Sequence, residues 1–172
     1  MVDVAYKNWR GMQESGGRRI KRAIHIDQTS IKFCDSKMLS RYQKIDLTTD
    51  YITERRKNIE RYQHGNDSRM DSPLDGPQVT NVEVFRAYLE AYLRNHPGIH
   101  TDGLDFLVRE LDPSPTGLPI EIYVFTKTTA WLEYERIQAE IFDHLLATAG
   151  FFDLRVFQEP SGSDFARALH NA

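Results

Sequence analysis

Six histidines, one cysteine and a short arginine run hold most of the reactive chemistry this sequence could offer. The histidines are His25, His64, His96, His100, His144 and His170. His96 and His100 have the spacing that puts two ligands on one helix face. Pro97 and Gly98 stand between them and oppose a helix, and no nearby acid or cysteine completes the set that zinc needs. The pair therefore predicts a helix-terminating loop and no metal site. His144, beside Asp143, falls late in a helical pattern, where an imidazolium suits the dipole. His25 and Asp27 could form a hydrolase pair, but no nucleophile motif accompanies them. G-x-S-x-G, H-E-x-x-H and the Walker loop are all missing from the sequence. Cys34 has no second cysteine to pair with and reads as a small buried hydrophobe. The expected inventory is no catalytic residue, no cofactor and no metal.

Gly16-Gly17-Arg18-Arg19 suggests a phosphate, yet its glycines precede a strand pattern, and phosphate cradles use helix N-termini. Lys7, Arg10, Arg18, Arg19, Lys21 and Arg22 face one acid, Glu14. Such a patch fits a membrane surface, nucleic acid or permeating ions, or simply an edge strand whose cations block aggregation. No interleaved aromatics build a base-stacking platform, and a net charge of −3 does not point to nucleic acid. Glu133 and Glu135 are helix-start charges. Trp131 and Tyr134, with Phe142 nearby, form a stripe that suits a core or a subunit interface.

The elements that would position these groups follow from hydrophobic period. Ile20, Ile24 and Ile26 alternate with Lys21, Ala23 and His25, predicting a strand over 18–28. Ile31 and Phe33 prolong an extended segment. Asp35 or Ser36 can cap a helix carrying Met38, Leu39, Tyr42 and Ile45, and a second helix follows over 46–62. Gly65, Pro73, Gly76 and Pro77 predict a mobile loop over 64–79. Thr80 and Glu83 have capping-box spacing before a helix through Phe85, Tyr88, Leu89, Tyr92 and Leu93. Strands are expected over 104–111 and 118–126, around a turn at Asp112–Gly117. A helix is expected over 129–149, closed by Gly150, then a last strand over 151–158. Residues 1–17 read as a lead-in, the end of a preceding β domain and a linker, 18–160 as one α/β domain, and 161–172 as a tail that is either disordered or a fragment of something longer. The order β-α-β-β-α-β is that of a ferredoxin-like split βαβ sandwich, class α+β, with extra helices inserted in the first crossover. No stretch has the roughly 18 uncharged apolar residues of a membrane-spanning helix, so the chain itself is expected to be soluble.

Long strings resemble one family. They are Lys7-Asn8-Trp9-Arg10-Gly11-Met12 leading to Glu14–Arg22, then Thr80-Asn81 to Phe85–Leu89, then Gly117–Phe125, continuing through Trp131, Tyr134-Glu135 and Ile137–His144. Together they resemble the C-terminal cytoplasmic domain of the miniconductance branch of bacterial small-conductance mechanosensitive channels. The resemblance implies a non-enzymatic cage or vestibule wall. In the whole channel, seven copies enclose a space with side portals that filter ions and small solutes. It further implies a bacterial inner-membrane protein with this part on the cytoplasmic side, opening under tension in hypoosmotic stress. The membrane is reached only through helices upstream of this sequence. The partners implied are further copies of the chain and permeating ions. The alternative is a free-standing ferredoxin-like module reading an anion through Arg18 and Arg19.

Overall fold

A computed structural model describes residues 16–65, 74 and 76–171. The chain is a mixed α+β fold in which helices cover one face of a three-stranded antiparallel sheet. The strands are β1 (Arg19–Ile26), β2 (Leu107–Glu110) and β3 (Leu118–Phe125), in the spatial order β1-β3-β2. Five α-helices are described: α1 (Ser36–Gln43), α2 (Asp46–Gly65), α3 (Asn81–Arg94), α4 (Trp131–Thr148) and α5 (Gly162–His170).

Alternation sets the sheet. Register pairs Ile20 with Val124, Ile24 with Ile120 and Ile26 with Leu118. Opposed residues share a face, so these side chains meet the helices and are buried there. From α3 come Phe85, Leu89 and Leu93, and from α4 come Ile137, Ile141 and Leu145, all in the same core. Burying each such side chain is worth roughly 1.5–3 kcal/mol. Two glycines are sterically required. A Cβ on Gly17 would collide with the Thr126 carbonyl oxygen, and Gly117, at φ +102°, lies against the Ile26 carbonyl. Gly17 is thus a close-packed position, while Gly16, at φ +70°, has open space around it.

The helix starts follow their caps. Asp35 accepts from the Met38 N–H at 2.8 Å, as its position before α1 predicts. Thr80 accepts from the Glu83 N–H at 3.3 Å, but Glu83 does not reach back to complete the box. Its carboxylate accepts from Tyr51 and pairs with Arg55 at 2.7 Å, tying α3 to α2. Most of the 64–79 loop and of the 1–17 lead-in lie outside the described residues; Tyr62 and the rest of α2 up to Gly65 are helical.

Three expectations fail near the C-terminus. No strand forms over 151–158; Ala149–Phe152 make a 3-10 turn, and only Val156 bridges Ile26. Gly150 does not close the helix. The stop comes at Asp153, whose φ of 58° is left-handed. Leu154 N–H donates to Ala149 O at 3.2 Å and Asp153 N–H to Gly150 O at 3.1 Å, a Schellman closure. The Asp153 carboxylate bonds the Tyr42 hydroxyl and Arg41, which holds an aspartate where glycine is usual. Phe152 is thereby driven into an aromatic cluster with Tyr42 at 5.2 Å, Tyr88 at 5.2 Å and Phe85 at 5.5 Å between ring centroids. The tail is likewise not without structure, since residues 162–170 form α5.

Candidate functional site

Among the described residues, the core helices pack on the even-numbered side of the sheet, and the other side is the candidate surface. It is built from the odd-numbered residues of each strand: Arg19, Lys21, Ala23 and His25 of β1, Pro119, Glu121, Tyr123 and Phe125 of β3, Leu107 and Arg109 of β2. Register puts Leu107, Tyr123 and Lys21 in one row and Arg109, Glu121 and Ala23 in the next. Tyr123 and Phe125 meet edge to face with centroids 5.9 Å apart, and the Arg19 guanidinium lies 5.7 Å above the Tyr123 ring. Arg109 donates twice to Glu121 Oε1, at 3.0 and 2.7 Å. That bond satisfies the Glu121 carboxylate, which is only 6% exposed. Beside Tyr123 a shallow depression of about 370 Å³ is lined by Asp105, Phe106, Leu107 and Arg109. Three cations against one carboxylate leave the face net positive, with an aromatic centre and Leu107 44% exposed.

The groups singled out for chemistry do not converge. Asp27 accepts from the Thr29 hydroxyl at 2.7 Å and its N–H at 2.9 Å, and pairs with Arg155 at 3.1 Å. These bonds hold its carboxyl below the ordinary value. Asp27 thus caps the turn Gln28–Ser30, and His25 is not among its partners. His96 Nδ1 accepts from the Gly98 N–H at 3.0 Å, closing the loop after α3, and its Nε2 lies 3.7 Å from Glu140. His100 is directed elsewhere, with Nε2 3.4 Å from the Gly16 carbonyl. Among the described residues no group of three or more His, Cys, Asp or Glu could hold a metal. His144 lays its ring on Tyr92 at 4.2 Å, with Nε2 2.7 Å from the Tyr88 hydroxyl, and so joins α4 to α3.

Arg18 lies 4.9 Å over Tyr134 of α4, in the helix layer, while Arg19 lies over Tyr123 on the bare face. The two guanidinium groups therefore part to opposite sides of the sheet and do not clamp one anion. Arg22 rests 4.3 Å over Phe142. The aromatic stripe of α4 is split as well: Phe142 is core, whereas Trp131 is 62% exposed and donates to Glu135 at 3.2 Å. Burial pushes the Cys34 thiol up to about 12, with Glu83, Asp153 and Asp35 adding to it, so the thiolate is suppressed at neutral pH. A groove of about 360 Å³ between α2, α3 and β2 holds charges already matched: Arg55 with Glu83, Arg86 with Glu110 at 3.0 Å and Arg94 with Glu90 at 3.0 Å.

No family model matches the chain. Among the described residues, no helix is long and apolar enough to cross a membrane. The period-two reading of β3 already separated Tyr123 and Glu121 from the isoleucines.

Proposed function

We propose that this chain is the cytoplasmic cage domain of a bacterial mechanosensitive channel of the miniconductance branch, meeting further copies of itself through the bare sheet face. The observation that carries the proposal is that face itself, which has a half-buried aromatic centre, the exposed Leu107 and a cationic rim. Interfaces between subunits favour such aromatic and arginine-rich surfaces. The strand order supports the ferredoxin-like form of the reading. In a split βαβ sheet the order is 4-1-3-2, with strand 3 antiparallel to both neighbours. Here β3 lies antiparallel between β1 and β2, and Val156 bridges the outer side of β1, as a fourth strand reduced to one residue would. The domain would then stand on the cytoplasmic side of the inner membrane, in a ring of seven copies. Unmatched cations on its walls would bias which ions pass.

Expression of the complete reading frame containing this sequence, in bacteria stripped of tension-gated channels, tests the proposal. Suction on excised patches is expected to evoke small tension-dependent currents, and Tyr123→Asp is expected to reduce their number by disrupting assembly. A reading frame that yields no tension-dependent current under any suction overturns it.

A further inference from the structure

Strand β1 forms one edge of the sheet, and its backbone groups alternate in direction along the strand. The Thr126 N–H donates to Arg18 O at 2.9 Å, so the backbone groups of Arg18, Ile20, Arg22, Ile24 and Ile26 turn toward β3. Those of Arg19, Lys21, Ala23 and His25 turn outward. Bonds at both ends of the strand fit that direction. The Tyr134 hydroxyl donates to Arg19 O at 2.7 Å, and the Phe157 N–H donates to His25 O at 2.8 Å. Between these two plugs, the N–H and C=O groups of Lys21 and Ala23 have no hydrogen bond among the described residues. Arg19, Lys21 and Arg22 are exposed there. The same edge is cationic and unmatched. Arginines elsewhere meet carboxylates, as Arg55 meets Glu83 and Arg109 meets Glu121. Arg18, Arg19, Lys21 and Arg22 meet none among the described residues. Three of them are still held in place: Arg18 over Tyr134 at 4.9 Å, Arg22 over Phe142 at 4.3 Å and Arg19 over Tyr123 at 5.7 Å. A cation that only guards an edge against aggregation needs no fixed position. Guanidinium groups laid on rings beside an open strand have already given up side-chain freedom, which lowers the cost of meeting a ligand.

We propose that the outer edge of β1 docks an acidic peptide segment, which adds to the sheet as a short strand. Its backbone pairs with Lys21 and Ala23, and its carboxylates meet Arg18, Arg19, Lys21 and Arg22. Strand addition of this kind draws affinity from main-chain bonds and specificity from side chains. Charge decides the occupant. A second copy's β1 laid antiparallel here would set Arg19, Lys21 and Arg22 against the same cations, and like charges directly opposite destabilise a strand pair. Acidic side chains find cations on both sides of the strand, Arg19 and Lys21 on one, Arg18 and Arg22 toward the helix layer on the other. Hydrogen bonds between guanidinium and carboxylate are roughly twice as strong as neutral ones. The stretch from Arg19 to His25 spans about 20 Å, enough for a strand of about five or six residues, the usual length.

The test titrates the full chain with a synthetic peptide of alternating glutamate and valine, followed by amide NMR and hydrogen exchange. The Lys21 and Ala23 amides are expected to become protected as the peptide binds. The Ile20 and Arg22 amides, already bonded to β3, are expected to keep their protection unchanged. N-methylation of alternate peptide residues removes main-chain donors and leaves the charge, and should weaken binding at least about tenfold. Ala23→Pro removes an outward N–H, a change that an edge strand tolerates, and should weaken it by a similar factor. Lys21→Gln/Arg22→Gln should do the same, with the amide spectrum of each variant verifying its fold. An N-methylated peptide that binds as well as its parent overturns the proposal, since plain attraction between opposite charges then suffices. So does the lack of any binding at about 1 mM peptide. Lys21 and Ala23 amides already protected in the free chain also overturn it. Protection independent of concentration would mean that the chain's own residues fill the edge, and protection that rises with concentration would mean that a second copy does.

Discussion

The two faces of the sheet use the same three strands and differ in almost everything else. On one, Ile20, Ile24, Ile120, Ile122 and Val124 are sealed under α3 and α4. On the other lie two half-buried aromatic rings, three cations and one buried carboxylate. Covered positions are interchangeable hydrophobes whose job is volume. Bare positions are chemically specific: Arg19 needs the Tyr123 ring, and Glu121 needs Arg109. One face holds the helices to the sheet, and the other is built from specific polar and aromatic pairs. The comparison can be broken by substitutions that treat the faces alike.

The largest effect is expected on the covered face. Ile122→Ala removes a fully buried side chain from the middle of β3 and should cost about 2–5 kcal/mol, read as a lower midpoint in chemical denaturation with association unchanged wherever the chain stays folded. Next is Asn81→Ala. The Asn81 amide accepts from the Lys32 and Val82 N–H groups at 3.0 Å each and donates to the Ser30 carbonyl at 2.9 Å. Losing it leaves buried backbone groups unpaired, at about 1–3 kcal/mol each way such a group is orphaned. Arg109→Ala strips Glu121 of its partner on the bare face and should cost about 1–3 kcal/mol. Rescue by a second change, Glu121→Gln, would identify the orphaned charge as the cause. Tyr123→Ser is expected to shift stability by under about 1 kcal/mol while weakening self-association, and so separates the faces most cleanly.

The smallest effect concerns α5. Hydrogen bonds from the Ser161 N–H and hydroxyl hold the Asp164 carboxyl below its ordinary value of 3.8. A carboxyl lowered in the folded state stabilises above its unfolded value and loses that contribution as pH falls through the folded one. Amide signals of residues 163–169 should therefore stay helical down to about 3.8 and fray only at lower pH.

How much of this could be read beforehand depended on the range of the interaction. Local signals worked: Asp35 and Thr80 as caps, Gly117 closing its turn, and the alternation of Ile20 to Ile26 are decided by a few neighbouring residues. The failures came from distant partners. Phe152, Leu154 and Val156 have strand spacing, but Tyr42 and Arg41 capture Asp153 and fold Phe152 into the core instead. Glu83 has capping-box spacing, but Arg55 and Tyr51 of another helix take its carboxylate. The stripe of α4 could not be divided into core and surface from its spacing alone: Phe142 is buried beneath Arg22 of β1, whereas Trp131 is exposed. Of the candidate interface, the alternation on β1 and β3 was legible. Which side of the sheet the core helices cover was not, because no local pattern encodes what packs on a sheet.

Hydroxyl-radical footprinting of the chain across a concentration series tests the central claim most directly. Association through the bare face predicts that labelling of Tyr123, Phe125 and Leu107 falls as concentration rises, while labelling of Trp131 and Leu132 on α4 stays constant. Unchanged labelling of Tyr123 in an associating sample, or protection confined to Trp131 and Leu132, would contradict it.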